Sequence, residues 1–591
     1  MTGPVDPALD PSPIVPGANP KPSALTTPSL TAGPPPLRAP EPRGPASGKP
    51  GPLRQVRDGL MRNLFTTSLY QLSLPRSGPT DLAAQPADPW PGDKSVANDM
   101  FQGCYRFAGQ ELNLSNQPPW TQTAPSADWQ RAASSFGWLR HFGAAGGAAS
   151  RQGARELVRS WILTNQEFDA LTWAPEVMGH RLMAWTSHAG FLLEDADPPF
   201  RQMFMGALDR QARHLGRAWS MAPPGADRLA ALSGLMLASA ALDPTGKRAD
   251  NLVHHVSAEV AAQVIADGGH ASRNPSALLD VLRALIWLNT GLEAAGFPVP
   301  SGVPEAIARM APMLIFFRHG DGGLALFNGS PEDDPKRIDQ TLNACFGSAA
   351  ESKRPLAVAT HSGFERMMAG TSIALVDTGK PPAAPFNGIA HAGTLSFEFS
   401  AANHRIIVNC GHRAGANWLQ ASRATAAHST VTVGNTNSSQ VSGDSPGPGP
   451  MVVNVHRKEA EGNLWLDMEH DGYLARSGLY HRRHLYLSAD GGQLRGEDVI
   501  EGARTEGRVE FPIIARFHLH PDVHASRTSD GALLKLANGQ GWQFHAAGGV
   551  IAVEESIYLG GKGEVRRAEQ ITISAAVETG GTSLKWALAR I

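Results

Sequence analysis

Residues 387–435, NGIAHAGTLSFEFSAANHRIIVNCGHRAGANWLQASRATAAHSTVTVGN, contain three short apolar runs that decide the fold of the second half of the chain. In the first run, residues 395–400, apolar and polar side chains alternate, which predicts a strand with one buried face. A polar turn separates it from the apolar run 405–408, and residues 430–433 form the third run. This stretch therefore predicts three successive strands.

Three polar residues, His391, Asn409 and His428, lie at the ends of these predicted strands. Imidazole and amide groups brought together from separate strand ends can hold a divalent metal or a sugar acid. The alternative interpretation is that isolated histidines near strand ends are surface or capping residues. The spacing alone leaves both interpretations open.

Length and composition limit the classes of protein to consider. A chain of 591 residues is long enough to bury a large core and predicts two or more domains. The net charge of -2 provides no overall field that would attract nucleic acid or a membrane. The three cysteines, Cys104, Cys345 and Cys410, lie far apart, which indicates neither a disulfide framework nor a CxxC metal site.

The N-terminal residues 1–55 are rich in proline and have no aromatic residue, so we expect a disordered tail. No basic segment followed by an apolar segment predicts a secretory signal, and no run of 18 apolar residues predicts a transmembrane helix. Residues 56–74 carry leucines at helical spacing. They predict a helix that docks on the body of the protein or, as the alternative, touches a membrane surface.

From Ser95 to about Cys345 the pattern is helical without strands, and we expect residues 56–345 to form one helical domain. Predicted helices include residues 228–242, 252–266, 275–295 and 304–317, joined by segments rich in glycine and proline. A succession of such helices predicts an incomplete α/α toroid, and a less regular helical bundle would show the same periodicity.

Residues 346–591 change to period-2 runs separated by turn signals. The predicted strands in addition to those above are residues 451–455, 464–469, 481–487, 513–519, 533–536, 550–558, 570–575 and 584–589. A half made of strands alone predicts a large antiparallel β-sandwich. The two halves should meet along a cleft, which is a preferred position for a ligand.

One loop of the helical half gathers polar groups, in the sequence Asp267-Gly-Gly-His270-Ala-Ser-Arg273-Asn274-Pro-Ser276. Its glycines would end one helix, and Ser272 or Asn274 would cap the next. Capping leaves His270 and Arg273 unexplained, so both become candidates for a functional site. In the sheet half, Tyr473 and His481 are weaker candidates, because cross-strand polar pairs need no catalytic role.

The phrases His391-Ala-Gly-x-Leu-Ser-Phe-Glu, Ile-Val-Asn409-Cys-Gly and Arg423-Ala-Thr-Ala-Ala-His428-Ser-Thr resemble the C-terminal domain of the heparinase II/III-like polysaccharide lyases. The phrase HDGYxxxxGLxHRR that begins at His470 extends this resemblance. The resemblance implies a toroid followed by a sandwich, and β-elimination on a uronate-containing polysaccharide. In that reaction a cation, amide or imidazole neutralises the carboxylate, a base removes the C5 proton, and an acid protonates the leaving O4 oxygen.

The match to the family's functional residues is partial. Where an Asn-His pair is expected, this chain has Asp227-Arg228, and where a tyrosine is expected it has Ala277-Leu278. No tyrosine occurs between Tyr105 and Tyr473. His391 matches the histidine of the sheet domain.

Some family members hold a structural zinc, for which the resemblance makes His391, Asn409 and His428 the candidate ligands. Two aspartates that would help to bind it appear as Gly393 and Asn409, which would weaken such a site.

We therefore predict a polysaccharide lyase-like protein. Arg228, or Arg273 with Asn274, would neutralise the carboxylate, and His270 or His391 would transfer protons. Further candidates for substrate binding are Arg423, Tyr473 and His481. One alternative is a glycan-binding or scaffold protein that has lost catalysis. The last is a toroid-class glycoside hydrolase, which needs two carboxylates; its candidates are Asp227, Asp267 and Glu398.

The expected partner is an acidic polysaccharide or oligosaccharide and not nucleic acid, and a homodimer is one expected assembly. The resemblance implies the cell envelope or periplasm, where polysaccharide would be met. The lack of a visible signal peptide indicates the cytoplasm as the alternative.

Overall fold

The structure is a computed structural model. It describes residues 52–591 except residues 76, 115–116, 414–415, 443–444, 447–448, 503–510, 562–564 and 579. The predicted disordered tail, residues 1–55, lies outside the described residues apart from the backbone at the start of the first helix. Among the described residues, no helix combines the length and apolar character needed to cross a bilayer.

The first half of the chain is helical, as predicted. Its helices are α1 (Pro52–Phe65), α2 (Ser68–Leu72), α3 (Lys94–Phe101), α4 (Ala127–Ser134), α5 (Leu139–Ala145), α6 (Gly147–Thr164), α7 (Pro175–Ser187), α8 (Ala189–Leu193), α9 (Pro198–Ala218), α10 (Ala226–Leu242), α11 (Lys247–Gln263), α12 (Pro275–Ala294), α13 (Val303–Phe316) and α14 (Pro335–Phe346). The prediction that this half has no strands was wrong. Strands β1 (Cys104–Phe107) and β2 (Gln110–Asn113) form a hairpin, whose turn contains Gly109 with a φ of 74°.

Helix α10 lies at the centre of this half and packs against α7, α9, α11 and α12. Its residues from Leu229 to Leu242 are all buried, as expected for a helix that is apolar on every side. The approach of α7 to α10 depends on two glycines. A Cβ on Gly179 would lie 2.3 Å from the carbonyl oxygen of Ala230, and a Cβ on Gly234 would lie 2.1 Å from the carbonyl oxygen of Gly179.

The second half is built from strands with two short helices. Its elements are β3 (Val358–Ala359), β4 (Phe364–Ala369), β5 (Ser372–Asp377), β6 (Phe397–Ala401), β7 (His404–Val408), α15 (Ala416–Arg423), β8 (Val431–Val433), β9 (Val441–Ser442), β10 (Ser445–Pro446), β11 (Val453–Ala460), β12 (Asn463–His470), α16 (Leu474–Ser477), β13 (Leu479–Leu487), β14 (Gln493–Gly502), β15 (Pro512–Leu519), β16 (His524–Arg527), β17 (Gly531–Lys535), β18 (Gly541–Ala547), β19 (Val550–Tyr558), β20 (Arg566–Ala576) and β21 (Thr582–Arg590).

Two antiparallel sheets form the predicted sandwich. One has the order β11-β12-β13-β14-β21-β18-β17-β16, and the other β19-β20-β15-β7-β6-β5-β4-β3, with β8 also paired to β15. Aromatic rings from the facing sheets meet in the core: Phe397 stacks on Trp586 with centroids 5.4 Å apart, and Phe399 meets Trp542 edge-on at 5.4 Å. The fold is thus an incomplete α/α toroid followed by an antiparallel β-sandwich.

The two halves meet on the nine-stranded sheet, and this contact corrects one prediction. Strand β6 was expected to have a solvent-facing side, but all its residues are buried. The polar face of β6 packs on the helical half, where His319 contacts Ser400 at 2.9 Å and Glu398 at 3.0 Å. The alternating polar residues therefore mark an interface between the two halves.

Candidate functional site

A cavity of about 310 Å³ opens among the helices of the first half. We call it the central cavity. Its wall comes from α5, α7, α10, α12, α14 and the segment before α3, and its polar and aromatic lining residues are Trp90, Ser135, Arg140, His180, Asp227, Asp280, Arg283, Trp287 and Arg337. This volume lies within the range of small-molecule sites.

The arginines of the central cavity differ in how their charges are balanced. Arg140 pairs with Asp88 at 3.1 Å, and Arg337 pairs with Asp280 and Asp333. Arg283 has no carboxylate within 4 Å among the described residues. Its guanidinium lies 3.6 Å from the ring centroid of Trp90 and donates to the Thr341 hydroxyl at 2.9 Å.

The environment of Arg283 therefore favours an anionic ligand. Burial and the neighbouring arginines lower the pKa of Arg283. A partly buried cation without a counter-ion is costly, and an anion in the cavity would remove that cost.

Two titratable groups face the same cavity without a hydrogen-bond partner among the described residues, His180 on α7 and Asp227 on α10. Both side chains are exposed to the cavity, and the surrounding protein still shifts their pKa values. Burial, followed by the charges of Glu176 and Asp280, raises the pKa of Asp227 to about 6. Burial also lowers the pKa of His180, so the imidazole is neutral at pH 7. A group such as Asp227 that titrates near neutrality can exchange a proton with a substrate, and a neutral imidazole can accept one.

The predicted loop residues have structural partners. Asn274 caps α12 by accepting from the backbone N–H of Ala277, and its side-chain nitrogen donates to the Asn328 carbonyl at 2.9 Å. His270 is buried with ring nitrogens at 2.7 Å from Ser272 Oγ and 3.2 Å from Gln263 Oε1. Both ring nitrogens of His270 are therefore occupied by hydrogen bonds. Neither is free for the predicted proton transfer to or from a substrate.

Arg273 joins the two halves of the molecule. It forms a buried ion pair with Asp377 at 2.6 Å and donates to the carbonyl oxygens of Ser362, Gly363 and Lys380. Its backbone φ of 56° is unusual for a residue other than glycine, which the rigid surroundings must maintain. These contacts leave little of the guanidinium for the predicted carboxylate neutralisation.

The glycine-rich loop and the strand-end histidines are connected through Asn328. The Asn328 side chain accepts from the His391 backbone N–H at 3.2 Å and donates to the Arg273 carbonyl at 3.2 Å. The structure therefore brings the Arg273–Asn274 segment and His391 to the same side of the interface. Sequence analysis missed Asn328, which lies in the sequence between the predicted helix 304–317 and the predicted strand 395–400.

His391 and His428 form a buried pair with a defined hydrogen-bond direction. His428 Nδ1 donates to the Ala424 carbonyl at 2.8 Å, so His428 Nε2 accepts from His391 Nδ1 at 3.0 Å. This assignment leaves His391 Nε2 with a lone pair, and that atom has no partner among the described residues. Burial, and then the charge of His428, lower the pKa of His391 well below its usual value, so the ring is neutral.

The predicted zinc ligands do not fit a zinc site. His391 and His428 bind each other, and the Asn409 amide donates to Glu398 at 3.1 Å and accepts from the Ser429 N–H at 3.0 Å. Within the described part of the chain, no group of three His, Cys, Asp or Glu residues is arranged to hold a metal. Asn409 therefore supports Glu398 and the start of β8.

The remaining predicted binding residues also have contacts within the protein. Arg228 contacts the Ala222 carbonyl and Glu259, and Arg423 is fully buried with its Nε donating to the Ala390 carbonyl. Tyr473 donates to the Val431 carbonyl at 2.6 Å inside the sandwich. His481 lies between His470 and Asp498 and is also inaccessible. A substrate could reach Tyr473 and His481 only by opening the sandwich, so their placement does not support substrate binding.

Sequence analysis found only Asp227 among the residues of the central cavity, as a carboxylate candidate. The signals for the others were weak, because most of the polar and aromatic lining residues come from segments far apart in the sequence, and only Asp280, Arg283 and Trp287 share one helix. Asp267 and Glu398, the other predicted carboxylates, are held by Ser362 and by His319 and Asn409 respectively.

Comparison with known proteins gives relatives over nearly the whole chain. The family model "Heparinase II/III-like, C-terminal" matches residues 351–587. FtsZ-localized protein C from Caulobacter vibrioides (strain NA1000 / CB15N) is 30% identical over 547 residues, which cover 90% of this chain and 94% of that protein.

Solved structures show the same fold at low sequence identity. A crystal structure of heparinase III matches with a TM-score of 0.64 and 12% identity, covering 82% of this chain and 80% of that chain. Heparan sulfate lyase HepC from Pedobacter heparinus matches with a TM-score of 0.57 and 14% identity, covering 84% and 82%.

Proposed function

Because this chain belongs to the heparinase II/III-like family, we propose that it binds a uronate-containing polysaccharide in the central cavity and cleaves it by β-elimination. The observation that carries this proposal is the charge of Arg283 in the central cavity, which is unpaired among the described residues. It places a cation with no carboxylate partner, among the described residues, in a cavity that also exposes two groups able to transfer protons.

The roles follow from the chemistry of the reaction. Arg283 pairs with the uronate carboxylate and makes the C5 proton more acidic. Asp227, deprotonated above a pH of about 6, accepts that proton. The C4–O4 bond breaks as the C4–C5 double bond forms, and the leaving O4 oxygen takes a proton from water or from a cavity group. His180 is the candidate group for positioning that oxygen.

His391 is the second candidate base from the sequence analysis, although it is buried and does not line the central cavity. Its Nε2 carries a lone pair without a partner among the described residues, and the bond to His428 fixes that orientation. A His391→Gln variant shows which of the two residues, Asp227 or His391, acts as the base. If Asp227 is the base, this variant retains the rise of activity with pH near 6, whereas Asp227→Asn loses activity.

The direct test offers uronate polymers to the purified protein and records the ultraviolet absorbance of the unsaturated product. We expect Arg283→Gln to lower kcat/KM by about 100-fold, because a charge that stabilises the transition state is lost. Arg201→Gln is the matched control, since Arg201 forms a surface ion pair with Asp81. Absence of product from every uronate polymer with the wild-type protein would contradict the lyase proposal.

A second candidate function is glycan binding without cleavage, at the position of FtsZ. It is favoured by the printed name of the Caulobacter relative, FtsZ-localized protein C, and by Asp227-Arg228 and Ala277-Leu278 in place of the family's expected residues. Binding of a uronate oligomer without product, together with co-localisation of the labelled protein with FtsZ, would support this candidate. New reducing ends without absorbance would instead indicate a hydrolase.

A further inference from the structure

A second cavity, of about 900 Å³, lies between the N-terminal helices and the outer side of the helical half. We call it the outer cavity. The helix α2 with its flanking residues forms one wall, the end of α6 with the following loop forms another, and α9 forms the third. It shares no lining residue with the central cavity.

The wall of the outer cavity combines aromatic rings with carboxamides. The rings belong to Trp161, Phe168 and Trp173, and the amides to Gln71, Asn165, Gln166 and Gln211. Arg210 orders this wall, because it donates to the Gln71 side chain at 2.5 Å and to the Gln166 carbonyl at 3.2 Å. Aromatic faces with convergent hydrogen-bonding groups are typical of sites that hold a polar ring.

A buried cation lies directly behind this wall. Arg181 is fully buried, stacks on Trp161 at 4.2 Å, and donates to Gln211 Oε1 at 2.5 Å. No carboxylate lies within 4 Å of Arg181 among the described residues, and its Nη2 has no hydrogen-bond acceptor there. A buried guanidinium without a counter-charge costs free energy that a nearby anion would offset.

Two further polar groups without partners among the described residues lie near Trp161. A recess of about 70 Å³ shares Trp161 and Asn165 with the outer cavity and is also lined by Trp129 and Thr172. Trp129 Nε1 and Thr172 Oγ1 are buried there and have no partner among the described residues. Among the described residues, Arg181 Nη2, Trp129 Nε1 and Thr172 Oγ1 thus remain as unsatisfied donors near Trp161, while the outer cavity itself is lined by one carboxylate, Glu167.

We propose that the outer cavity is a second carbohydrate site, which binds an acidic sugar with its carboxylate or sulfate toward Trp161 and Gln211 and with Arg181 as the buried counter-charge. The class of ligand follows the proposed function, but the site does not depend on catalysis. A polymer that leaves the central cavity could be held at this second position while the protein remains attached to it.

The test counts binding sites by isothermal titration with a trimer of galacturonate, using maltotriose as the neutral control. All proteins carry Asp227→Asn to prevent turnover. In this background we expect two sites, one lost in Arg283→Gln and the other lost in Ala207→Trp, which fills the outer cavity from α9. Arg181→Met should weaken the outer site about tenfold without preventing folding, because an apolar side chain of similar size often replaces a buried cation without loss of stability.

The outcomes separate the two sites. One outcome is a single binding site that is lost in Ala207→Trp and kept in Arg283→Gln. This result would support the outer site and contradict binding in the central cavity. One site that Arg283→Gln abolishes, or two sites that persist in Ala207→Trp, would overturn the outer site. Equal binding of maltotriose would overturn the acidic class of its ligand, and no binding of the trimer would overturn both sites.

Discussion

The carboxyl group of Asp227 combines access to the central cavity with a pKa raised to about 6. The cause is burial, reinforced by Glu176 and Asp280, whose negative charges disfavour a third one nearby. The folded state therefore binds a proton between pH 4 and 6 that the unfolded state has released. Ionisation of Asp227 reduces the stability of the folded protein as the pH rises through this window.

We expect Asp227→Asn to increase the free energy of unfolding at pH 7 by about 1 kcal/mol, a value reduced because solvent in the cavity screens the charge. At pH 4 the variant and the wild type should be equally stable at this site, since Asp227 is then protonated. Denaturant unfolding at both pH values measures the difference. An equal gain at both pH values would contradict the role of ionisation.

Residue-scale prediction from the sequence succeeded where a motif was local and failed where a site was assembled from distant positions. The phrase containing His391 and His428 predicted two histidines that do contact each other. Trp90, Arg140, Arg283 and Arg337 carry no local pattern, because each is one polar or aromatic position on an otherwise ordinary segment. Only the packing of five helices brings them to one cavity.

At the scale of elements, the crossing of α7 and α10 sets the width of the central cavity, because His180 and Asp227 lie on these two helices. Gly179 and Gly234 allow the backbones to touch. Any larger side chain at the crossing would push the helices apart and displace both titratable groups.

Gly179→Ala should therefore lower the free energy of unfolding by about 2 kcal/mol, because its Cβ would overlap the Ala230 carbonyl. Activity on a uronate polymer should fall even in the folded fraction. Gly216→Ala is the matched control: this glycine is exposed on α9 with no atom within 4 Å of its Cβ position. There alanine should stabilise the helix by up to about 1 kcal/mol. Similar losses in both variants would contradict the close-contact explanation.

Most elements were predictable because their periodicity is strong. The predicted helix 275–295 is observed as α12, and the predicted strand 550–558 is observed as β19. Helix α15 was missed because residues 416–423 lie between strand signals and span only eight residues. The alternation around β6 gave the right strand, but sequence could not show that its polar face is covered by His319.

For the whole molecule, the Arg273–Asp377 pair is a buried ionic contact that joins the two halves. Asp377 is fully buried, and its pKa is raised by burial even though Arg273 acts in the opposite direction. The pair is accompanied by contacts of Arg273 with three backbone carbonyls, which makes it specific in geometry.

Arg273→Met should lower the free energy of unfolding by about 3 to 5 kcal/mol, because it leaves Asp377 charged and unpaired. The double variant Arg273→Met with Asp377→Asn should recover part of this loss. Arg106→Gln, which breaks exposed ion pairs with Asp99 and Glu111, should leave the melting temperature nearly unchanged. Thermal unfolding compares all three. If Arg273→Met were as stable as the wild type but inactive, this result would indicate that Arg273 binds the substrate.

The order of strands in the eight-stranded sheet has a consequence for its assembly. Strand β21 follows all the other strands of that sheet in sequence, yet it lies between β14 and β18 in the sheet interior. Until β21 is inserted, β14 and β18 each keep an open backbone edge. A molecule in which the nine-residue strand β21 is detached would therefore expose two adhesive edges to chaperones and proteases.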